Sequence, residues 1–210
     1  MSGVLRLGVI HTIAPFLLPR GLRLAQRRYP SLRLALREDL TAGLLARLAD
    51  GRLDLAIIAL PFDTGELTVL PLFEDELRLV ARRNDASLRS GVVALDRDLS
   101  VRLLLLAEGH CLREHTLRAC DAQPQVSDAR LEATSLLTLV QMVESGLGVA
   151  LVPELAIRAG LIRGTRLVSL PLARPAPRRT IALVARRTTT RTAEMQALAA
   201  ICRNIGRGAR

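Results

Sequence analysis

Residues 53–60 read LDLAIIAL, and this stretch decides the fold. A short, nearly continuous apolar run stopped by a proline fits a strand buried on both faces better than one with a solvent face. Four segments lead up to it. VLRLGVI (4–10) reads as a strand, and APFLLPRGLRLAQRRYP (14–30) as a helix that begins after its prolines and stops at Pro30. SLRLALRED (31–39) reads as a strand, and TAGLLARLADG (41–51) as a helix with Thr41 placed to cap it and Gly51 to end it. Strand, helix, strand, helix, strand calls for a parallel sheet with right-handed crossovers.

A second unit follows. LTVLPLFEDELRLVAR (67–82) reads as two short strands leaving the first lobe, and VRLLLLAEG (101–109) as a strand. After ARLEAT (129–134) come a helix, SLLTLVQMVESG (135–146), with Ser135 at its cap, and the strand GVALVP (148–153). RLVSLPL (166–172) and RRTIALVAR (178–186) add strands, and TRTAEMQALAAICRNIG (190–206) closes the chain as a helix. The Pro-rich PLARPAPRR (171–179) is a connector before a strand that returns to the first lobe. The expected class is α/β: two Rossmann-like lobes joined by crossing strands, of the periplasmic-binding-protein type II kind. Lobe I takes residues 1–80 with 182–210 returning to it, and lobe II takes 81–181. Ligands of open α/β sheets bind where strand C-termini and helix N-termini converge, which is expected between the lobes.

Composition narrows the function. Half of the 210 residues are apolar and 2% are aromatic, so a core of Leu, Val, Ile and Ala is expected and disorder is not. No apolar run reaches membrane-spanning length, and MSGVLRLGVIH lacks the pattern of a secretion signal, so the expected location is the cytoplasm, where thiols are kept reduced. The net charge of +10 comes with 30 basic residues, all arginine, scattered as singles and as doublets at 27, 82, 178 and 186. No basic stripe interleaved with aromatics and no helix-turn-helix pattern accompanies them, so an arginine-rich surface is expected rather than direct reading of bases.

The chemistry concentrates in EGHCLREHTLRAC (108–120), which holds two of the chain's three cysteines. If 110–121 is a helix, Cys111 and Cys120 stand about 13.5 Å apart along the axis and about 900° around it, on opposite faces. A disulfide needs Cα atoms within roughly 7 Å, so helix and bond exclude each other, and joining the sulfurs would require the segment to refold. Cys111 falls at the helix N-terminus, beside His110 and with Arg113 in the first turn, a setting that favours thiolate. Cys120 reads as a buried, less reactive partner. Two buried cysteines acting as small hydrophobes fit the spacing as well. The spacing of Cys111, Cys120, His110 and His115 does not suit a metal, and neither metal nor cofactor is expected.

These residues carry a resemblance. The whole chain resembles the regulatory domain of LysR-type transcription regulators, through GVIHTIAPFLLP (8–19), ATSLLTLVQMVESGLGVALVP (133–153) and PAPRRTIALVAR (175–186). The segment with two cysteines in a GHCLR context resembles the peroxide-sensing members specifically. The resemblance implies that Cys111 is the peroxidatic cysteine and Cys120 the resolving one. It also implies that Thr12, Thr41, His110 and Arg179 line a peroxide pocket. Each has a plainer alternative: Thr41 as a helix cap, Thr12 at a strand end, His110 in a loop, Arg179 on the surface. Cys202 has no counterpart and reads as a core residue.

The resemblance further implies a homodimer or tetramer, resetting by a glutaredoxin or thioredoxin, and signalling without turnover. DNA is expected to be bound only through an N-terminal winged helix-turn-helix domain that these residues lack. Pro124, between Cys120 and Arg130, is expected to constrain the loop that must move. Two other readings stay open. One is a domain of the same family binding a small anionic metabolite at the helix N-terminus of Thr134 and Ser135, with incidental cysteines. The other is a thiol peroxidase or solute-binding protein.

Overall fold

The computed structural model describes residues 3–85, 91–120 and 132–208. In chain order it contains β1 (Gly3–Ile10), α1 (Ala14–Arg28), β2 (Leu32–Asp39), α2 (Thr41–Ala49), β3 (Leu55–Leu60) and β4 (Thr68–Arg82). Then come α3 (Arg97–Ser100), β5 (Leu105–Leu106), α4 (Cys111–Ala119), β6 (Glu132–Ala133), α5 (Leu136–Glu144) and β7 (Ala150–Pro153). The chain ends with α6 (Glu154–Arg158), β8 (Leu167–Leu170), β9 (Arg178–Ala185) and α7 (Thr192–Gly206). Two compact units result, one of residues 1–75 and 179–210, the other of residues 76–178. The expected breaks after residues 80 and 181 fall inside β4 and β9, a few residues beyond these divisions.

The first unit is built on a sheet in the order β2-β1-β3-β9. β1 runs parallel to both β2 and β3, as the strand-helix alternation requires, and β9 returns antiparallel to β3. β3 is buried along all but its last residue. Gly8, in the middle of β1, lets α2 lie close to the sheet: a Cβ there would meet Leu44 at 2.6 Å and Leu53 at 2.7 Å. Leu44 and Leu48 of α2 are fully buried against this surface, each contributing about 1.5–3 kcal/mol of apolar burial. α7 buries Met195, Leu198, Ile201, Cys202 and Ile205, one stripe at helical spacing, and packs on α1.

The second unit joins β4, from Leu77 to Arg82, antiparallel to β7 and β8. A small parallel pair, β5 with β6, lies under α5. Leu103 to Leu106 with Leu139, Val140, Val143 and Val149 make its apolar core.

Several elements differ from the sequence reading. α1 starts at Ala14 and not after its prolines, because Pro15 occupies the first turn, where no N–H partner is needed, and Pro19 is accommodated inside the helix. Residues 68–82 form one long strand and not two. Pro71 sits within it, with its carbonyl accepting a hydrogen bond from Arg203 Nη2 at 2.6 Å. The stretch read as a strand over 101–109 forms one only at Leu105 and Leu106, with a single bridge from Leu103 to Val149 before it. Before it comes the short helix α3, capped by Asp96, whose Oδ1 accepts from the Leu99 N–H at 2.9 Å. The loop holding Pro124 lies outside the described residues.

Candidate functional site

In the first unit, three of the expected residues gather at one edge of the sheet. Ile10 and Asp39 end β1 and β2 and pair with each other, and Thr12 and Thr41 each follow by two positions. β9 enters at the same edge, since Thr180 pairs with Leu60 at the end of β3, and this places Arg179 there too. All three side chains are buried, at 1–2% exposure. Arg179 is therefore no surface arginine.

A hydrogen-bond network fixes this edge. Arg179 Nη1 donates to Thr12 Oγ1 at 2.9 Å, and Nη2 donates to the Thr12 carbonyl at 3.3 Å. Nε and Nη2 both donate to Asp75 Oδ2, at 3.1 and 3.0 Å, in an ion pair whose side chains have no solvent exposure. A guanidinium buried this way needs a carboxylate, and Asp75 supplies it. Sequence reading missed Asp75. It stands 104 residues from Arg179 in the acidic FEDEL stretch, and nothing local marks it as more than a polar strand position.

Thr41 is not the cap of α2. Leu40 occupies that position, Thr41 is the first helical residue, and its buried hydroxyl has no hydrogen-bond partner. Gly51 does end the helix as expected, at φ +72° just past the C-cap Asp50.

In the second unit, the cysteine segment forms the expected helix. Gly109 takes φ +87°, a conformation that favours glycine, and turns the chain into α4, with His110 at the N-cap position. Cys111 is the first residue of α4, where a helix N-terminus favours negative charge, and Cys120 is its C-cap. Both are thiols in the structure. A nine-residue helix separates them by about 13.5 Å of axial rise. Cys111, Leu112, His115 and Thr116 form its buried face.

One expectation about this segment needs correction. Cys120 is partly exposed and not buried, because α4 ends there. Arg113 Nη1 donates to the Leu106 carbonyl and to Glu132 Oε1, both at 3.0 Å, which ties α4 to β5 and β6. His110 is buried at the helix start, although its side chain does not cap the helix.

Ser135 is the cap of α5, its Oγ accepting from the Thr138 N–H at 3.1 Å. That hydroxyl also shares a 2.9 Å hydrogen bond with Thr138 Oγ1, and Thr134 beside it is exposed. Cys202 is a core residue of α7, and burial pushes its thiol pKa up to about 12. Among the described residues no group of His, Cys, Asp and Glu is arranged to hold a metal ion, and no helix is long and apolar enough to cross a membrane.

Comparison with known proteins agrees with this architecture. A probable hydrogen peroxide-inducible genes activator of Streptomyces viridosporus is 45% identical, over 98% of this chain and 66% of its own length. The HTH-type transcriptional regulator EstR of Acinetobacter baylyi is 40% identical, over 98% of this chain and 68% of its own. The chain thus spans about two thirds of these curated relatives. Among solved structures, a hydrogen peroxide-bound cysteine-to-serine mutant of OxyR from Corynebacterium glutamicum superposes with a TM-score of 0.90 at 32% identity, covering 99% of this chain and 66% of that one. The family model for the LysR substrate binding domain matches residues 1–206. With that match over almost its whole length, the chain belongs to the LysR substrate binding domain family.

Proposed function

We propose that this chain is the hydrogen peroxide-sensing domain of a LysR-type transcription regulator. One observation carries the reading: two thiols, Cys111 and Cys120, stand at opposite ends of one short helix in a chain akin to peroxide-inducible activators. The Cys111 thiolate attacks one peroxide oxygen and the O–O bond breaks. Cys111 becomes a sulfenic acid, and the departing hydroxide takes up a proton to leave as water. The Cys120 thiol then condenses with the sulfenic acid, releasing a second water and forming the disulfide. Thr12, Thr41, Arg179 and His110 take the peroxide-binding roles that the family resemblance implies for them.

The disulfide cannot form while α4 is intact, so oxidation unwinds the segment. In a homodimer or tetramer, that refolding changes subunit packing and repositions DNA-binding domains carried elsewhere in the parent protein. The chain acts in the cytoplasm, where a glutaredoxin- or thioredoxin-class dithiol resets it, and the thiols signal without turnover. Titration with peroxide tests this. The wild-type chain should lose two titratable thiols per molecule, Cys111→Ser none, and Cys120→Ser should stop at sulfenic or higher acids. Equal thiol loss in wild type and Cys111→Ser would defeat the reading.

A second reading is favoured by the similarity to EstR, whose name carries no oxidant. In it, a small anionic metabolite binds near Thr134 and Ser135 at the start of α5. Ser135 already spends its hydroxyl on the helix cap, which weakens this alternative. A regulator whose DNA response survives Cys111→Ser would support it.

A further inference from the structure

In the first unit, α1 and α7 pack against each other and leave between them a cavity of about 500 Å³. That is room for a small metabolite, whose pockets run from about 300 to 1,000 Å³. Leu24, Arg27 and Arg28 of α1 line one side, and Ala200, Ile201 and Asn204 of α7 line the other. Each set is spaced three and four residues apart, so each forms one face of its helix. The helices come close at Gly21, where an added Cβ would lie 3.7 Å from Ile205 Cδ1. At Ala200 a single exposed methyl is too short to fill the gap.

The floor of this cavity is apolar and its rim is cationic. Ile201 is buried and Leu24 half-buried, whereas Arg27, Arg28 and Asn204 are exposed. α1 carries Arg20, Arg23, Arg27 and Arg28 and no acidic residue. Among the described residues no carboxylate pairs with Arg27 or Arg28. The Arg28 guanidinium lies 5.9 Å from the centre of the Tyr29 ring, a contact that steadies it. Arginines in the last turn of a helix also favour its dipole. That role calls for neither an apolar floor nor an amide facing the charges.

A hydrocarbon would fill the floor and leave the cations unanswered. A bare phosphate would meet the cations and leave Leu24, Ala200 and Ile201 unused. We propose that the cavity binds an amphipathic carboxylate. Its apolar body lies on Leu24, Ala200 and Ile201, and its carboxylate accepts hydrogen bonds from Arg27, Arg28 and the Asn204 amide. A guanidinium fork matches a carboxylate in shape as well as charge. The site shares no residue with the cysteine helix or with the start of α5, so it gives the domain an input independent of oxidation.

Calorimetric titration of the reduced 210-residue chain with octanoate tests this, with octylammonium and acetate as controls and thermal melting to establish folding. Octanoate should bind once per chain and raise the melting temperature, as a ligand of the folded state does. Octylammonium, with the charge reversed, and acetate, without the body, should each bind at least about 10-fold more weakly. The double variant Arg27→Gln, Arg28→Gln should weaken octanoate binding by about 10- to 100-fold. Ala200→Trp should abolish it by filling the cavity while both arginines remain. Cys111→Ser should bind octanoate like wild type.

Absence of saturable octanoate binding overturns the proposal, as does equal affinity for octylammonium. Binding that survives a folded Ala200→Trp chain places the ligand elsewhere and overturns it too. A short DNA duplex that binds through Arg27 and Arg28 while octanoate does not would make this face a phosphate contact instead. Should Ala200→Trp not fold, methyl NMR of the wild-type chain decides: octanoate must shift Leu24 and Ile201, and shifts confined to other methyls overturn the site.

Discussion

The sheet edge of the first unit and α4 of the second are built on opposite principles. At the sheet edge, Arg179, Asp75 and Thr12 come from distant parts of the chain and lock together without solvent exposure. Asp75 and Arg179 sit on the strands β4 and β9, and Thr12 in the short turn that joins β1 to α1. α4 is nine residues long, lacks a side-chain cap, and is tied at its start by Arg113 to the two-residue strand β5 and to Glu132. Isolated helices of this length are marginal in water, so α4 depends on its buried face. A locked network in one unit and a marginal helix in the other suit a one-shot chemical switch: one part must keep its geometry and the other must be able to lose it.

That contrast can be broken at graded cost. Arg179→Met should be the most damaging, lowering unfolding free energy by about 3–5 kcal/mol by leaving Asp75 buried without its cation. Urea denaturation measures this, and a loss below about 1 kcal/mol would show that the pair is not the lock described. Asp54 comes next. Hydrogen bonds from the Arg6 side chain hold its carboxyl below the usual carboxylate range, with the Arg6 backbone N–H adding to the effect at 2.8 Å. A carboxylate whose folded pKa is depressed contributes stability above its unfolded pKa and loses it as pH falls through the folded value. Melting should therefore turn acid-sensitive below about pH 4, and Asp54→Asn, which costs about 1–2 kcal/mol at neutral pH, should flatten that dependence.

The second unit should give smaller numbers. Ser135→Ala removes the cap of α5 and should cost about 1 kcal/mol. Glu132→Gln breaks a partly exposed ion pair worth less than about 1 kcal/mol. Its informative effect is kinetic: with α4 less firmly tied to β6, the disulfide should form faster once Cys111 is oxidised. Quenched thiol mapping over time would reveal an unchanged or slower rate.

Much of this contrast was legible in the sequence, because it was written in local pattern. The alternation through residue 60, the helix at the cysteines, Gly51 past the end of α2 and Ser135 at the cap of α5 all follow from periodicity and from residues with fixed conformational roles. What escaped was decided by long-range partners. LLLL at 103–106 is buried whatever its conformation, so hydrophobicity could not show that only two of its residues form a strand. Thr41 has the right residue type for a cap but sits one position too late, which leaves its hydroxyl free for something else. Asp75 and Arg179 are ordinary charged residues until strand pairing brings them together. The family resemblance pointed to Arg179, and nothing pointed to the carboxylate that holds it.

The central claim is that oxidant joins two sulfurs which an intact helix keeps apart. Hydrogen–deuterium exchange of residues 111–120, measured on reduced and peroxide-treated chain alongside peptide mapping, tests it directly. The account predicts protected α4 amides in the reduced chain, and loss of that protection together with a linked Cys111–Cys120 peptide after peroxide. A linked peptide with α4 protection unchanged, or loss of protection with no linkage, would contradict it.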